Sequence, residues 1–133
     1  MTKATLRTQR LERLYTHMTT VPAPQINMAV WATETDCGTV GCLAGHCMLN
    51  VPGYTMDRGT LSYLSLLRYQ GRLVAWQTAA QRYLKLTEDE GNRLFAVSGW
   101  PDRYYDRYVN AKTARGRKSA LLARLRHFIT TGE

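Results

Sequence analysis

The chain has 133 residues, of which 44% are hydrophobic and 21% charged; 18 Lys and Arg oppose 10 Asp and Glu, for a formal net charge of +8. This is a globular composition, long enough to bury a core without disulfides or metals, and it excludes a disordered tail, a collagen and a coiled coil. No run of eighteen apolar residues occurs, and Met1 to Arg7 hold no apolar leader, so neither a membrane span nor secretion is expected and the cytoplasm is the expected compartment.

A first helix is expected from about Lys3 to Thr19, with Leu11, Leu14, Tyr15 and Met18 on one side and Arg7, Arg10 and Arg13 on the other. Val21-Pro22-Ala23-Pro24 ends it, because proline supplies no amide hydrogen and restricts the residue before it. Ile26, Met28 and Val30 alternate with Asn27, Ala29 and Trp31, the pattern of a short extended piece. Thr33-Glu34-Thr35-Asp36 reads as a polar turn, and the small apolar run Cys42 to Leu49 as a buried helix closed by Asn50-Val51-Pro52-Gly53. Thr60 to Tyr69 reads as a short helix on Leu61, Leu64 and Leu67, with Gly71 as a break.

Leu73, Trp76, Ala80, Tyr83 and Leu84 then form an apolar stripe at helical spacing. Thr87 and Glu90 are spaced as a capping box ahead of Leu94 and Phe95, and Gly99-Trp100-Pro101 breaks the chain again. The strongest helix is expected over Thr113–Thr130, with Leu121, Leu122, Leu125, Phe128 and Ile129 on one face and Arg117 and Arg124, seven apart, on another. Together these elements predict a mainly α fold. It would be one helical bundle over residues 1–133, with the short extended segment near residues 26–31.

The charge is unevenly placed. Cys37 to Met56 contain no Asp, Glu, Lys or Arg, whereas Arg103 to Glu133 hold eight basic residues and two acidic ones. A basic surface implies an acidic partner, whether nucleic acid, an acidic protein or an anionic membrane, and the same charge also suits a merely solvated helix face. Tyr104, Tyr105 and Tyr108 are interleaved with Arg103 and Arg107, and Tyr and Arg are the residues enriched at interface hot spots. The expected partner-binding set is therefore Arg103, Tyr104, Tyr105, Arg107, Tyr108, Arg115, Arg117, Lys118 and Arg124. The same tyrosines can instead cover the edge of the core.

All three cysteines fall between Cys37 and Cys47, with His46 among them. Cys42 and His46, at i and i+4, share a helix face, and with Cys37 they supply three soft ligands of the kind zinc takes, although the spacing matches no common zinc module. A second reading makes Cys37 or Cys42 a nucleophile at a helix N-terminus. The third is structural. Gly38, Gly41 and Gly45 permit a tight turn and close helix packing, Thr39 caps the helix, and the thiols act as small buried apolar groups. The structural reading is favoured, so neither catalytic residue nor metal nor other cofactor is expected.

Asn27-Met28, Trp31, Cys37-Gly38-Thr39-Val40 and Cys42-Leu43-Ala44-Gly45-His46 resemble a group of small phage and mobile-element proteins that share a Cys-Gly-Thr-x-x-Cys-x-x-Gly core. Tyr83 to Thr87, Leu94-Phe95, Trp100-Pro101 and Phe128-Ile129 are similar to the same pattern, which spans about residues 26 to 130. The resemblance implies a setting more than a mechanism. It suggests a non-enzymatic accessory protein in the bacterial host cytoplasm that inhibits a defence system, as anti-CRISPR proteins do, by binding a host protein or nucleoprotein complex. A basic chain cannot be a DNA mimic, which must be acidic. The alternatives are a nucleic-acid-binding regulator and, from a different class, a Cys/His hydrolase or zinc protein.

Overall fold

The computed structural model describes residues 2–36, 38–57 and 66–133. Helix α1 (Lys3–Thr20) starts where the Thr5 amide donates to the Thr2 hydroxyl at 3.2 Å, and it stops at Val21-Pro22. It buries Leu11, Leu14 and Met18, as the spacing predicts. After a 3-10 turn (Ala23–Gln25) the chain makes a single parallel bridge, Ile26 to Gly41. The expected extended piece at 26–31 is reduced to that bridge and a turn.

The first hairpin follows. Strands β1 (Ala32–Thr35) and β2 (Gly38–Gly41) pair antiparallel, with Ala32 opposite Gly41 and Thr35 opposite Gly38. It leads directly into α2 (Leu43–Leu49), in which Leu43 to Met48 are all buried. A second sheet, in the order β3-β4-β5, joins β3 (Tyr54–Asp57), β4 (Leu66–Tyr69) and β5 (Arg72–Val74), all antiparallel. Tyr54 and Tyr69 stack across it with ring centroids 4.4 Å apart. The tight turn Gln70-Gly71 has φ of 50° and 76°, the mirror-image geometry that suits a two-residue hairpin and favours glycine.

Helices α3 (Trp76–Leu84), α4 (Glu88–Phe95), α5 (Asp102–Val109) and α6 (Ala114–Thr131) complete the chain. The capping box forms as spaced: the Thr87 amide donates to Glu90 Oε1 at 2.9 Å and the Glu90 amide to Thr87 Oγ1 at 3.1 Å. The core joins α1, α2, α3, α4 and α6 through Met18, Leu43, Met48, Trp76, Leu84, Leu94, Leu121, Leu125 and Phe128, with Leu67 entering from β4. Each such side chain contributes roughly 1.5–3 kcal/mol relative to exposure.

The helical-bundle expectation is corrected. The fold is mixed α/β, with two antiparallel sheets beside the helices. The polar turn read at Thr33–Asp36 is mostly strand, since the β-branched threonines of β1 and β2 suit a pleated ribbon. The helix read over Thr60–Tyr69 is strand over Leu66–Tyr69, while Leu61 and Leu64 lie outside the described residues. Leu73 is 51% exposed on β5 and leaves the stripe that Trp76 begins. Helix α5 extends a segment whose tyrosines and arginines gave no apolar stripe of their own.

Two close contacts hold these elements in register. A Cβ on Gly45 would sit 1.7 Å from the Trp31 carbonyl oxygen, and one on Gly41 would sit 2.5 Å from the same atom. Backbone blocks the space, so a side chain there must displace the hairpin from α2. Gly45→Ala is expected to lower unfolding free energy by about 3 kcal/mol or more. Urea denaturation checks this, and a loss below about 1 kcal/mol would show that the hairpin yields.

A second constraint ties α1 to α4. Arg7 Nη2 lies 2.5 Å from Glu90 Oε2, and chiefly this hydrogen bond holds the Glu90 carboxyl well below its usual range, at about 2. A depressed carboxyl pKa stabilises the fold above the ordinary value near 4.5, and that contribution is lost as pH falls towards 2. Solvent screening leaves it at about 1–2 kcal/mol. Glu90→Gln is therefore expected to lose this amount at pH 7 and to flatten the acid limb between pH 4.5 and 2, read by chemical denaturation at stepped pH.

Candidate functional site

An open groove of about 680 Å³ lies where α6 meets α5 and α1. Its floor is apolar, from Tyr15, Leu122 and Ala123, and its rim carries Arg107, Arg115, Lys118 and Arg126. Residues 115, 118, 122 and 126 recur every three or four positions, so one stripe of α6 supplies most of the wall. Arg107 reaches in from α5 and donates to Ser119 Oγ at 2.6 Å. Arg126 makes a two-pronged ion pair with Glu12, at 2.9 and 3.1 Å, and lies 4.1 Å over the Tyr15 ring. Glu12 raises the Arg126 guanidinium pKa further, the hydrogen bond being the main cause. Among the described residues, exposed Arg115 has no hydrogen-bond or ion-pair partner.

Lys118 is shared between the groove and the fold. Its amine donates to the Thr19 and Val21 carbonyls at 2.9 and 2.6 Å, so the cation sits at the C-terminus of α1. It keeps its charge at the rim while pinning α6 to α1.

The structure divides the expected partner-binding set. Arg107, Arg115 and Lys118 come together in the groove. Arg124 lies on the face that carries Leu121, Leu125 and Phe128 and points inward, whereas Arg117, seven residues earlier, is half-buried. Arg124 is fully buried and is withdrawn as a surface residue. Its Nη2 donates to the Arg93 carbonyl at 2.7 Å, while Nε and Nη1 have no partner among the described residues. Burial pulls its guanidinium down to about 10.

The tyrosines divide likewise. The Met28 amide donates to the Tyr108 hydroxyl at 3.2 Å, and the Tyr108 ring meets Trp100 edge-on at 5.4 Å. Arg103 donates to the Tyr104 hydroxyl at 2.6 Å and reaches His127 Nδ1 at 3.1 Å. Both rings thus cover the core edge, and Tyr105 alone of the three is exposed, at 39%. The sequence reading missed Tyr15, Leu122 and Arg126. Their signal was the stripe through 115, 118, 122 and 126, overshadowed by the spacing of Arg117 and Arg124.

Cys42 and Cys47 are both buried in the core. Cys42, not Thr39, caps α2: its Sγ accepts from the Gly45 amide at 3.4 Å, while Thr39 lies in β2. Burial pushes the Cys42 thiol up to about 11 and the Cys47 thiol up to about 12. Thiols that stay protonated at neutral pH are poor nucleophiles. His46 Nε2 donates to the Gln25 carbonyl at 2.7 Å, and burial lowers its pKa first, with that carbonyl opposing. Among the described residues no cluster of three His, Cys, Asp or Glu side chains could hold a metal ion, and Cys37 lies outside them. Compared with known proteins, the chain matches no family model, no curated sequence and no solved structure.

In a Cys37→Ser variant, Cys42 and Cys47 are expected to stay unmodified by a thiol-specific chromogenic disulfide at pH 8 and to react fully in denaturant. Reaction of the folded variant at the rate of a small free thiol would return the segment to the nucleophile reading.

Proposed function

We propose that this chain is a non-enzymatic binding protein whose α5–α6 groove docks an acidic stretch of a partner polypeptide. One observation carries the reading: four cations, Arg107, Arg115, Lys118 and Arg126, surround a floor of Tyr15, Leu122 and Ala123, and Glu12 is paired to Arg126. An apolar floor within a polar rim is the anatomy of a protein interface, and the excess positive charge selects an acidic complement and speeds its encounter. A single-stranded nucleic-acid platform instead needs exposed aromatic faces along the basic track. Here Tyr104 and Tyr108 are engaged internally, Tyr105 alone of the three is exposed, and Tyr15 is the one aromatic lining the groove, its ring covered by Arg126. The setting we propose is the one the Cys37–Gly45 resemblance implies: a phage or mobile-element accessory protein that inhibits a bacterial defence complex, in the manner of an anti-CRISPR.

The test is capture of a bacterial partner by tagged full-length protein, with nuclease present and across a salt series. A stoichiometric protein that survives nuclease is expected, and the Arg107→Glu, Arg115→Glu double variant should weaken its binding more than about tenfold. Arg72→Glu, on the exposed strand β5, should leave it unchanged. Retention of nucleic acid alone, with affinity falling linearly in log salt, would replace this reading with the nucleic-acid regulator.

A further inference from the structure

On the side of α1 away from Tyr15, a half-open cleft of about 170 Å³ separates α1 from α2 and α3. Arg10, Arg13 and His17 line it from α1, His46 and Cys47 from α2, and none of its lining residues is acidic. The volume falls below the roughly 300 Å³ at which pockets for drug-sized ligands begin, so it suits a small group.

The donors are held in place before any ligand arrives. Arg10 Nη1 donates to the Tyr83 carbonyl, and its guanidinium lies 4.1 Å over the Tyr83 ring, which fixes the plane of the fork and leaves its other N–H groups available. His17 Nε2 is 3.4 Å from the Asn50 side-chain nitrogen, so the amide that donates there orients the imidazole and leaves Nδ1–H as its donor. The His17 and His46 rings are 6.3 Å apart. Exposed Arg13 has no hydrogen-bond or ion-pair partner among the described residues. The protonated Cys47 thiol adds no negative charge.

Two guanidiniums and the His17 imidazole face one small space that no carboxylate lines, while His46 spends its N–H on the Gln25 carbonyl, and the three remaining donor groups form a trap for an anion. We propose that this cleft binds a tetrahedral oxyanion of the phosphate class through Arg10, Arg13 and His17. Arginine forks match such an anion with paired hydrogen bonds, and the half-open cleft admits either free phosphate or the terminal group of a phosphate monoester. The proposal does not depend on the α5–α6 groove.

The experiment titrates full-length protein with sodium phosphate by calorimetry, against sodium chloride at matched ionic strength, while NMR follows the imidazole signals of His17 and His46. Saturable one-to-one binding that moves both histidines is expected. Arg13→Gln, at an exposed position, should weaken it about tenfold without changing the melting temperature of the ligand-free protein, the fold-change of one charge-assisted hydrogen bond. Arg115→Gln, in the groove, should leave it intact, which separates this site from the proposed docking surface. Adenosine 5′-monophosphate binding at least as tightly as phosphate would identify a monoester as the source, and weaker binding would identify the free anion. No saturation beyond the chloride control would overturn the proposal. So would unchanged affinity in Arg13→Gln, or affinity lost only in Arg115→Gln.

Discussion

The approach of the Trp31 carbonyl to Gly41 and Gly45 sets where α2 sits, and the rest of the core is arranged around α2. The Cys42 amide donates to the Val30 and Trp31 carbonyls at 2.8 and 3.3 Å, so the end of the first hairpin also fixes the start of the helix. A strand can pass that close to a helix only where no Cβ intervenes. With the hairpin in contact, Leu43, Ala44, Cys47 and Met48 are covered on all sides, and α3 packs beside them through Ala79 and Ala80. The absence of charge from Gly41 to Met48, the buried part of the uncharged run, follows from this burial, because an unpaired ion in such surroundings would be costly.

The basic residues serve three physical ends. Some are internal fasteners. Arg7 joins α1 to Glu90 on α4, Lys118 closes the last turn of α1, and Arg124 satisfies a carbonyl of α4 from within the core. Arg7 and Arg124 both lie within 6 Å of the Phe128 ring centre, where the ring face offsets part of the cost of holding cations away from water. Others, Arg107, Arg115 and Arg126, line the open groove. Arg10 and Arg13 face the small cleft on the other side of α1. A count of charges along the chain merges these populations, although their solvent exposure and chemistry differ.

Helix α6 shows how one element produces this separation. Its inward stripe carries Ala120, Leu121, Arg124, Leu125 and Phe128, and its outward stripe Arg115, Lys118, Leu122 and Arg126. The cations at 115, 118 and 126 can flank an apolar Leu122 because α5 and α1 wall the groove on either side. In the proposed anti-defence setting, such a surface would recognise a partner by sign of charge and by shape together, while the core lies behind it.

The sequence alone determined the long helices, the buried character of Cys42 to Met48, the capping box at Thr87 and Glu90, and the basic bias of the C-terminal quarter. These rest on local periodicity and local hydrogen bonding, which neighbours in the chain specify. The sheets were hidden because their strands run three or four residues, too short for alternation to outweigh helical spacing in the leucines, as at Leu67. The spacing of Arg117 and Arg124 put them on one face, but whether that face met water depended on the packing of α4 and α1 against α6. The fate of Tyr104 and Tyr108, the groove floor at Tyr15 and the cleft at Arg10 and Arg13 were likewise decided only by tertiary structure. Each depends on groups far apart in sequence, and residue order carries no direct record of such distances.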